Sequence, residues 1–389
     1  YCARSLARLV SEASPVDEGA GGSFTAQNPV KPVAIGDVAE EQPEWRGYRT
    51  TEVPPKTAAA PAGDAVDECD VAVIGAGVIG IAAALYLARQ GRQVLLLEAG
   101  TANGEASGGN AGSLHLQLLP FDFRPDEPES PAAATLPLQR LGIQLWQTLE
   151  EELDADFEMR IGGGLMLADS EADVEFLRRK AALEARFGVT TEVLSAEEVR
   201  GLLPGVAAQV AGGAYCGGEG KINPLLATPQ LLAAAQRCGA LLRENTVVTS
   251  IEPDDSGYRL RTNRGSVDCR QVINAAGGWA GEIASMLGAT LPLRPAPQQM
   301  LVTQAVDNCL PFLLSVTGRH LSMKQAANGN LIIGGGWPTG FDKVRGRCQP
   351  RRDSIAGNLW VARRVFPVVG RLQLIRSWGA VGVMIDGAP

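Results

Sequence analysis

Gly75, Gly77 and Gly80 stand in G-x-G-x-x-G spacing directly after the apolar, β-branched run Val71, Val73 and Ile74, with Val78 and Ile79 filling the gap. Glycines so spaced serve a dinucleotide. The first permits a tight turn, the second lets backbone approach a pyrophosphate, and the third lets a helix pack close on its strand. The pyrophosphate then sits at a helix N-terminus, where free N–H groups and the positive end of the dipole favour an anion. Glu98, followed by Ala99, closes a second apolar run, Val94 to Leu97. An acid about twenty positions beyond the glycines is placed to accept the hydroxyls of an adenosine ribose.

These residues need a strand, a turn, a helix and a second strand in that order, and Asp70 to Gly100 reads that way. The helix runs from Val78 to Arg89, and Gly91 ends it as a C-terminal glycine does. The stretch Val71 to Ala88 is also long and apolar enough for a membrane span. The glycine spacing, the flanking Asp70 and Arg89 and the strand that follows at once argue against that reading, and no other transmembrane segment is expected. A second small-residue loop, Ala106 to Ser113, offers Ser107 and Asn110 as hydrogen-bonding groups for phosphate or ring edges; a plain surface loop is the alternative.

A chain of 389 residues accommodates two or three domains. Its net charge of −8 argues against a nucleic-acid partner. The seven cysteines are scattered, odd in number and free of any C-x-x-C pair, which is the usage of a reducing, cytoplasmic setting. The sequence begins with Tyr1 and reads as a piece of something longer.

Ser5 to Val10 reads as a short helix, after which prolines and glycines break the chain repeatedly. Residues 40–67 read as a Pro/Ala-rich linker, with Trp45 and Tyr48 able to pin it to a neighbouring surface. Helices are expected over Leu136 to Glu152, Glu171 to Phe187 and Pro224 to Cys238, and another begins at a Ser195–Glu198 capping box. Ile161 to Ala168 reads as a strand. Thr246 to Ile251, Tyr258 to Thr262 and Ser266 to Val267 read as an antiparallel ribbon, and Val272 to Ala276 as a separate buried strand returning to the first sheet. Leu301 to Thr303, His320 to Lys324 and Leu331 to Ile333 read as strands of a second domain. A strand-like run is expected after Arg376, ending in a turn at Asp386-Gly387.

VIGAGVIG with Glu98, SGGNAGSLH, VINAAGGWA at 272–280 and the closing WGA…IDGAP together resemble the flavin-dependent D-amino-acid oxidase superfamily from Asp67 onward. GNAGSLHLQLLPFDF, EGKINPLLATPQL, KQAANGNLIIGGGWP and VMIDGAP look like the β subunits of dye-linked proline dehydrogenase, opine oxidases and hydrogen cyanide synthase. The opening YCARSLARLV…FTAQNPVKPVAI looks like the tail of the partner that carries another flavin and an iron–sulfur cluster, so the resemblance implies a fusion of the two, cut at both ends.

That resemblance implies an α/β chain: a Rossmann-like FAD-binding domain with an inserted α+β substrate domain on a mainly antiparallel sheet. The implied divisions are 1–39 as partner remnant, 68–150, 217–285 and 350–389 as FAD-binding parts, and 151–216 and 286–349 as substrate-domain parts. FAD would lie along Gly75, Gly77 and Gly80, with Glu98 on the adenosine ribose, Val248 at the adenine and Gly277 on the pyrophosphate side. Ser107, Asn110, Ala111, Gly112 and Leu114 would follow the ribityl chain and ring. The family's carboxylate-clamping arginine is replaced by Val381, and its final flavin-wrapping strand and helix are absent after Pro389. Cys2 holds the place of a ligand to a two-iron, two-sulfur cluster, for which this chain offers no near neighbour.

The reaction so implied is oxidation of a C–N bond in an amino acid, imino acid or opine, with electrons leaving to a fused or associated FAD/iron–sulfur subunit. Such chemistry asks the protein to orient and desolvate rather than to supply a strong base. His115 could face the ring or be satisfied in packing; Lys324 could steer a carboxylate or oxygen or be an ordinary surface lysine. An NAD-dependent dehydrogenase and a non-catalytic flavin-bound assembly subunit are the rival readings. The small-residue loop after Glu98 and the lack of a second nucleotide fingerprint argue against the first; flavin that no amine bleaches would favour the second.

Overall fold

The computed structural model describes residues 33–34, 52–56, 66–123 and 131–385. The expectations for Cys2, the Ser5 to Val10 helix, Trp45, Tyr48 and the Asp386-Gly387 turn lie outside them. β1 is Val33–Ala34; β2, Val66–Ile74, enters a turn at Gly75 and leads to α1, Val78–Ala88, and β3, Val94–Leu97. Val71 to Ile74 and all of β3 are buried, as strands covered on both faces must be. α1 has little polar face to offer because it too is enclosed: Ile81, Ala84 and Leu85 share a core with Val71, Val73 and Leu96 on one side and Leu231 and Ala234 on the other.

α2, Ala106–Gly109, and β4, Ser113–Leu114, follow, then α3, Pro131–Ala134, and α4, Leu136–Glu152. The middle of the chain holds β5, Gly164–Ala168; α5, Glu171–Arg186; β6, Glu192–Ser195; α6, Ala196–Leu202; β7, Gly212–Cys216; and β8, Gly220–Lys221. The capping box forms at α6: Ser195 Oγ accepts from the Glu198 amide, and the Glu198 carboxylate accepts from the Ser195 amide. α7, Pro224–Arg237, and β9, Leu241–Arg243, return to the first sheet.

Next come β10, Val248–Asp254; β11, Gly257–Thr262; β12, Gly265–Asn274; α8, Ala280–Ser285; β13, Leu293–Ala305; and β14, Leu313–Val316. β15, Ser322–Gln325, β16, Asn330–Gly334, β17, Gly340–Asp342, β18, Arg347–Gln349, α9, Arg352–Val365, and β19, Gln373–Ile385, complete the described chain.

Two sheets result. The first has strand order β10-β11-β12-β2-β3-β9, parallel from β12 to β9 and antiparallel in the β10–β12 ribbon. The second has order β1-β19-β13-β16-β15-β14-β5-β7-β6 and is antiparallel except where β14 meets β5. This is the α/β architecture expected, with a mainly antiparallel second sheet.

Two expectations are corrected. β12 is one strand, not a ribbon strand and a separate buried one: it pairs with β2 from Ser266 to Asn274, and the exposed Arg270 and Gln271 conceal its continuity in the sequence. β13 extends far beyond Leu301 to Thr303, because Pro295 and Pro297, which look like breaks, are accommodated opposite Val383 and Val381 of β19. Residues 350–385, expected as an FAD-binding part, pair and pack with the second sheet, although Val381 and Val383 also line the crevice at the end of the first. β19 pairs along β13 in the second, and Leu359, Val361, Ala362 and Val365 of α9 are buried in that sheet's core with Leu301, Leu314 and Ile333.

Candidate functional site

A crevice of about 660 Å³ opens where β2, β3 and β12 of the first sheet end. At its base Gly75 has φ +104°, a conformation few L side chains adopt. A Cβ on Gly80 would stand 1.9 Å from the Gly75 carbonyl oxygen, so only glycine lets α1 start this close to the turn. Val78 N–H donates to Ser107 Oγ at 2.9 Å, tying the turn to the small-residue loop.

Glu98 sits on the crevice wall with Oε2 accepting from the Ala76 amide at 2.8 Å and Oε1 from the Gly100 amide at 2.7 Å. Each oxygen keeps a lone pair for a hydroxyl donor. Thr246 to Thr249, including Val248, form another wall, and Ala275 to Trp279, including Gly277, a third. These dimensions, the glycine base and the anchored acid fit a dinucleotide.

Residues 52–56, expected as part of the Pro/Ala-rich linker, lie across the crevice mouth. Pro55 and Lys56 line it; Trp279 Nε1 donates to the Pro54 carbonyl at 3.2 Å, and Lys56 meets Glu105 at 3.0 Å and the Trp279 ring at 4.5 Å.

The loop residues beyond Ser107 take a different path. Asn110 uses its amide locally, donating to the carbonyls of Ala106 and Ser107 and accepting from Gly112 N–H. Ala111, Gly112 and Leu114 lead away from the crevice lining into β4, which pairs with β8. There the sheets meet: Ser113 Oγ is 3.3 Å from Ser322 Oγ of β15.

Lys221, paired with Ser113 across the β4–β8 ribbon, reaches over to β15 and donates from Nζ to the Gln325 carbonyl at 2.5 Å. Lys324, on the same face of β15 as Ser322, is 3% exposed and its Nζ has no hydrogen-bond partner. Burial, reinforced by the nearby Lys221 charge, pushes the Lys324 ammonium down to about 7. It is not an ordinary surface lysine.

His115 Nδ1 stands 3.6 Å from Glu219 Oε1, so its ring has an acidic partner rather than an apolar packing site. Burial works against the Glu219 charge, but the His115 ring and the amides of Leu116 and Gln117 outweigh it and hold the carboxyl below the usual carboxylate range. Next to this segment, buried Lys180 pairs with Glu184 at 2.6 Å, and Glu184 accepts from the Leu118 amide at 2.7 Å.

The structure thus gathers Gly75, Gly77, Val78, Ile79, Glu98, Ala99, Ser107, Val248 and Gly277 in one crevice, with Gly80 packed beneath it, while Leu114, His115 and Lys324 belong to the meeting of the two sheets. Lys56, Glu219 and Lys221 are functional candidates that the sequence alone did not single out. Only the E-G-K run at 219–221, part of one of the resembling stretches, carried a signal for the last two.

A Rossmann-type crevice with a glycine turn and an anchored acid, facing an antiparallel sheet, marks a dinucleotide-binding protein. The chain belongs to the DAO family of FAD dependent oxidoreductases, whose model matches residues 70–389, and its cofactor is FAD. An opine oxidase component from Agrobacterium tumefaciens (strain Ach5) is 30% identical over 327 residues, covering 83% of this chain and 84% of that protein. Glycine oxidase of Geobacillus kaustophilus (strain HTA426) is 28% identical, covering 82% and 83%. The crystal structure of glycine oxidase from Geobacillus kaustophilus superposes with a TM-score of 0.75 at 26% identity, covering 83% of this chain and 85% of that one. L-proline dehydrogenase from P. horikoshii shares the fold, with a TM-score of 0.69 at 22% identity over 82% of each chain.

Proposed function

We propose that this chain oxidises the C–N bond of an amino acid, imino acid or opine to the imine, which water hydrolyses, and that the electrons pass to a partner redox centre. The observation that carries the reading is the position of the crevice: its small-residue loop runs directly into β4, where the second sheet brings up Ser322 and Lys324. The similarity to the opine oxidase component and to glycine oxidase supports an amine as the reductant.

In this reading Gly75, Gly77, Val78, Ile79 and Gly80 hold the cofactor's diphosphate, with Gly277 on its other side. Glu98 and Ala99 meet the adenosine, Val248 the adenine, and Ser107, Asn110, Ala111, Gly112 and Leu114 the ribityl chain and ring. When bound, FAD would supply a hydride acceptor for the carbon next to the amine nitrogen. The chain orients the amine and excludes bulk water; His115, fixed by Glu219, and Lys324 are the candidate polar groups beside the reacting carbon.

Anaerobic titration of the holoenzyme with D- and L-amino acids, proline, sarcosine and opines tests the reading, the expected result being bleaching of the flavin by at least one. Bleaching by none would instead favour a flavin-bound assembly subunit. Mixing the amine-reduced protein with NAD should produce no direct reoxidation, and fast reoxidation would contradict transfer to a partner centre. If Cys2 ligates a two-iron, two-sulfur cluster in a longer parent, Cys2→Ser there lowers its iron content; unchanged iron removes Cys2 from the proposal.

A further inference from the structure

Two lysines from separate segments converge where the sheets meet, and among the described residues no carboxylate is ion-paired with either. Lys324 projects from β15 on the face that carries Ser322, and Ser322 is in contact with Ser113 of β4. Lys221 comes from β8, the strand paired with β4, and its Nζ is held by the Gln325 carbonyl next to Lys324. The Lys324 ammonium is enclosed and, among the described residues, has neither a carboxylate nor a carbonyl to receive it. The β16 residue opposite it is Ile332, and the β14 residues paired along β15 are Leu314 and Ser315, so the neighbouring strands bring no charge at these positions. The charged group that faces it is Lys221, behind which stand Arg160 and Glu158.

A buried cation without an acceptor is costly, and a second cation beside it makes it more so. An anionic ligand removes both penalties at once. We propose that Lys324 and Lys221, with the hydroxyls of Ser322 and Ser113, form the subsite that receives a carboxylate of the amine substrate. This deepens the amine-oxidising reading and rests on it. It also accounts for the apolar Val381, 1% exposed on β19, where an arginine would otherwise be expected to take that carboxylate.

The subsite has a proton signature. With its ammonium near 7 in the free protein, Lys324 is charged at lower pH and neutral at higher pH. A bound carboxylate requires the charged form. Well below pH 7 binding needs no proton because Lys324 is already charged; above it Lys324 must take one up, and affinity falls by about tenfold per pH unit until the pKa of the bound state is reached. Removing Lys221 relieves the repulsion on Lys324 and moves that break to higher pH.

The test uses FAD-loaded full-length protein and two non-reducing probes, acetate and neutral acetamide, followed by perturbation of the flavin's visible spectrum between pH 5.5 and 9. These pH limits are set at roughly two units either side of the expected break. Lys324→Met should weaken acetate at least about tenfold at pH 6, flatten its pH dependence and leave acetamide unchanged; Lys221→Met should shift the break upward. Lys324→Met removes an unpartnered buried charge without changing side-chain length much, so the fold is retained, and flavin content verifies this. Acetate binding that is unchanged in Lys324→Met overturns the subsite, as does a variant whose sole defect is slower reoxidation by oxygen. A wild-type protein that loads FAD but is bleached by no amine overturns the amine-oxidising reading instead, whatever acetate does.

Discussion

The crevice at the end of the first sheet and the polar face where the two sheets meet are built on opposite principles. The crevice is made of backbone: glycines that admit no Cβ, amides at a helix start, and one acid held by the Ala76 and Gly100 amides. The facing region is made of side chains, among them the buried Lys324 and Glu219, and the segment behind His115 is held by the buried Lys180–Glu184 pair. Backbone sites tolerate change in everything but their glycines and anchors. A site of buried charges depends on each charge keeping its counterpart, because an ion left alone in the interior has lost its hydration with nothing in exchange.

The largest test of that contrast is Lys180→Met. It strands Glu184, which lies fully buried and holds both the Leu118 amide and Thr191 Oγ1. Breaking one side of a buried pair costs about 3–5 kcal/mol, read as a lower urea midpoint at unchanged slope. The double variant Lys180→Met/Glu184→Gln should recover much of the loss. A single variant as stable as the parent would mean that this network does not brace the segment running from His115 to Leu118.

The same contrast explains what the sequence disclosed. The crevice was legible because its chemistry is local: turn, helix and acid fall within Gly75 to Glu98, and each glycine has a backbone reason. The capping box at Ser195 and the bounds of α4 were legible for the same reason. The lysine pair was not, since Lys221 and Lys324 are about a hundred positions apart, a separation that only the β4–β8 ribbon and the order of the second sheet close. The place of β19 beside β13 was not legible, because a lone apolar run does not reveal its pairing partner. β13 was read short because prolines suggest breaks that an irregular antiparallel ladder can absorb.

A middle-sized effect is expected at Glu98. In the proposed binding mode Glu98→Ala removes a charge-assisted contact to the ribose, worth about 1.5–3 kcal/mol, or roughly a tenfold to hundredfold weaker hold on FAD. Glu98→Gln keeps one acceptor oxygen and should fall between. Equilibrium dialysis of the flavin reads both. Full occupancy of the alanine variant on dilution would remove Glu98 from the binding set and leave the glycine turn to account for affinity alone.

The smallest effect, at Lys56, asks whether the crevice is entirely a backbone site. Lys56 is the one cation among the described residues lining it, against Glu98, Glu105 and Glu282, while the diphosphate of FAD is anionic. Its ion pair with Glu105 is partly exposed, with side-chain accessibilities of 30% and 37%, so the contact itself contributes no more than about 1 kcal/mol. Lys56→Ala should therefore speed FAD loss by about fivefold or less, and the difference from wild type should shrink as salt rises, since screening weakens exposed charges first. The Trp279 bond to the Pro54 carbonyl does not involve the Lys56 side chain, so the strap itself should remain in place. A salt-independent loss of much more than fivefold would show that residues 52–56 seal the crevice by packing and that the substitution has lifted the seal. No change at any salt would leave the helix start and glycine turn as the whole of the diphosphate site, the backbone extreme of the comparison.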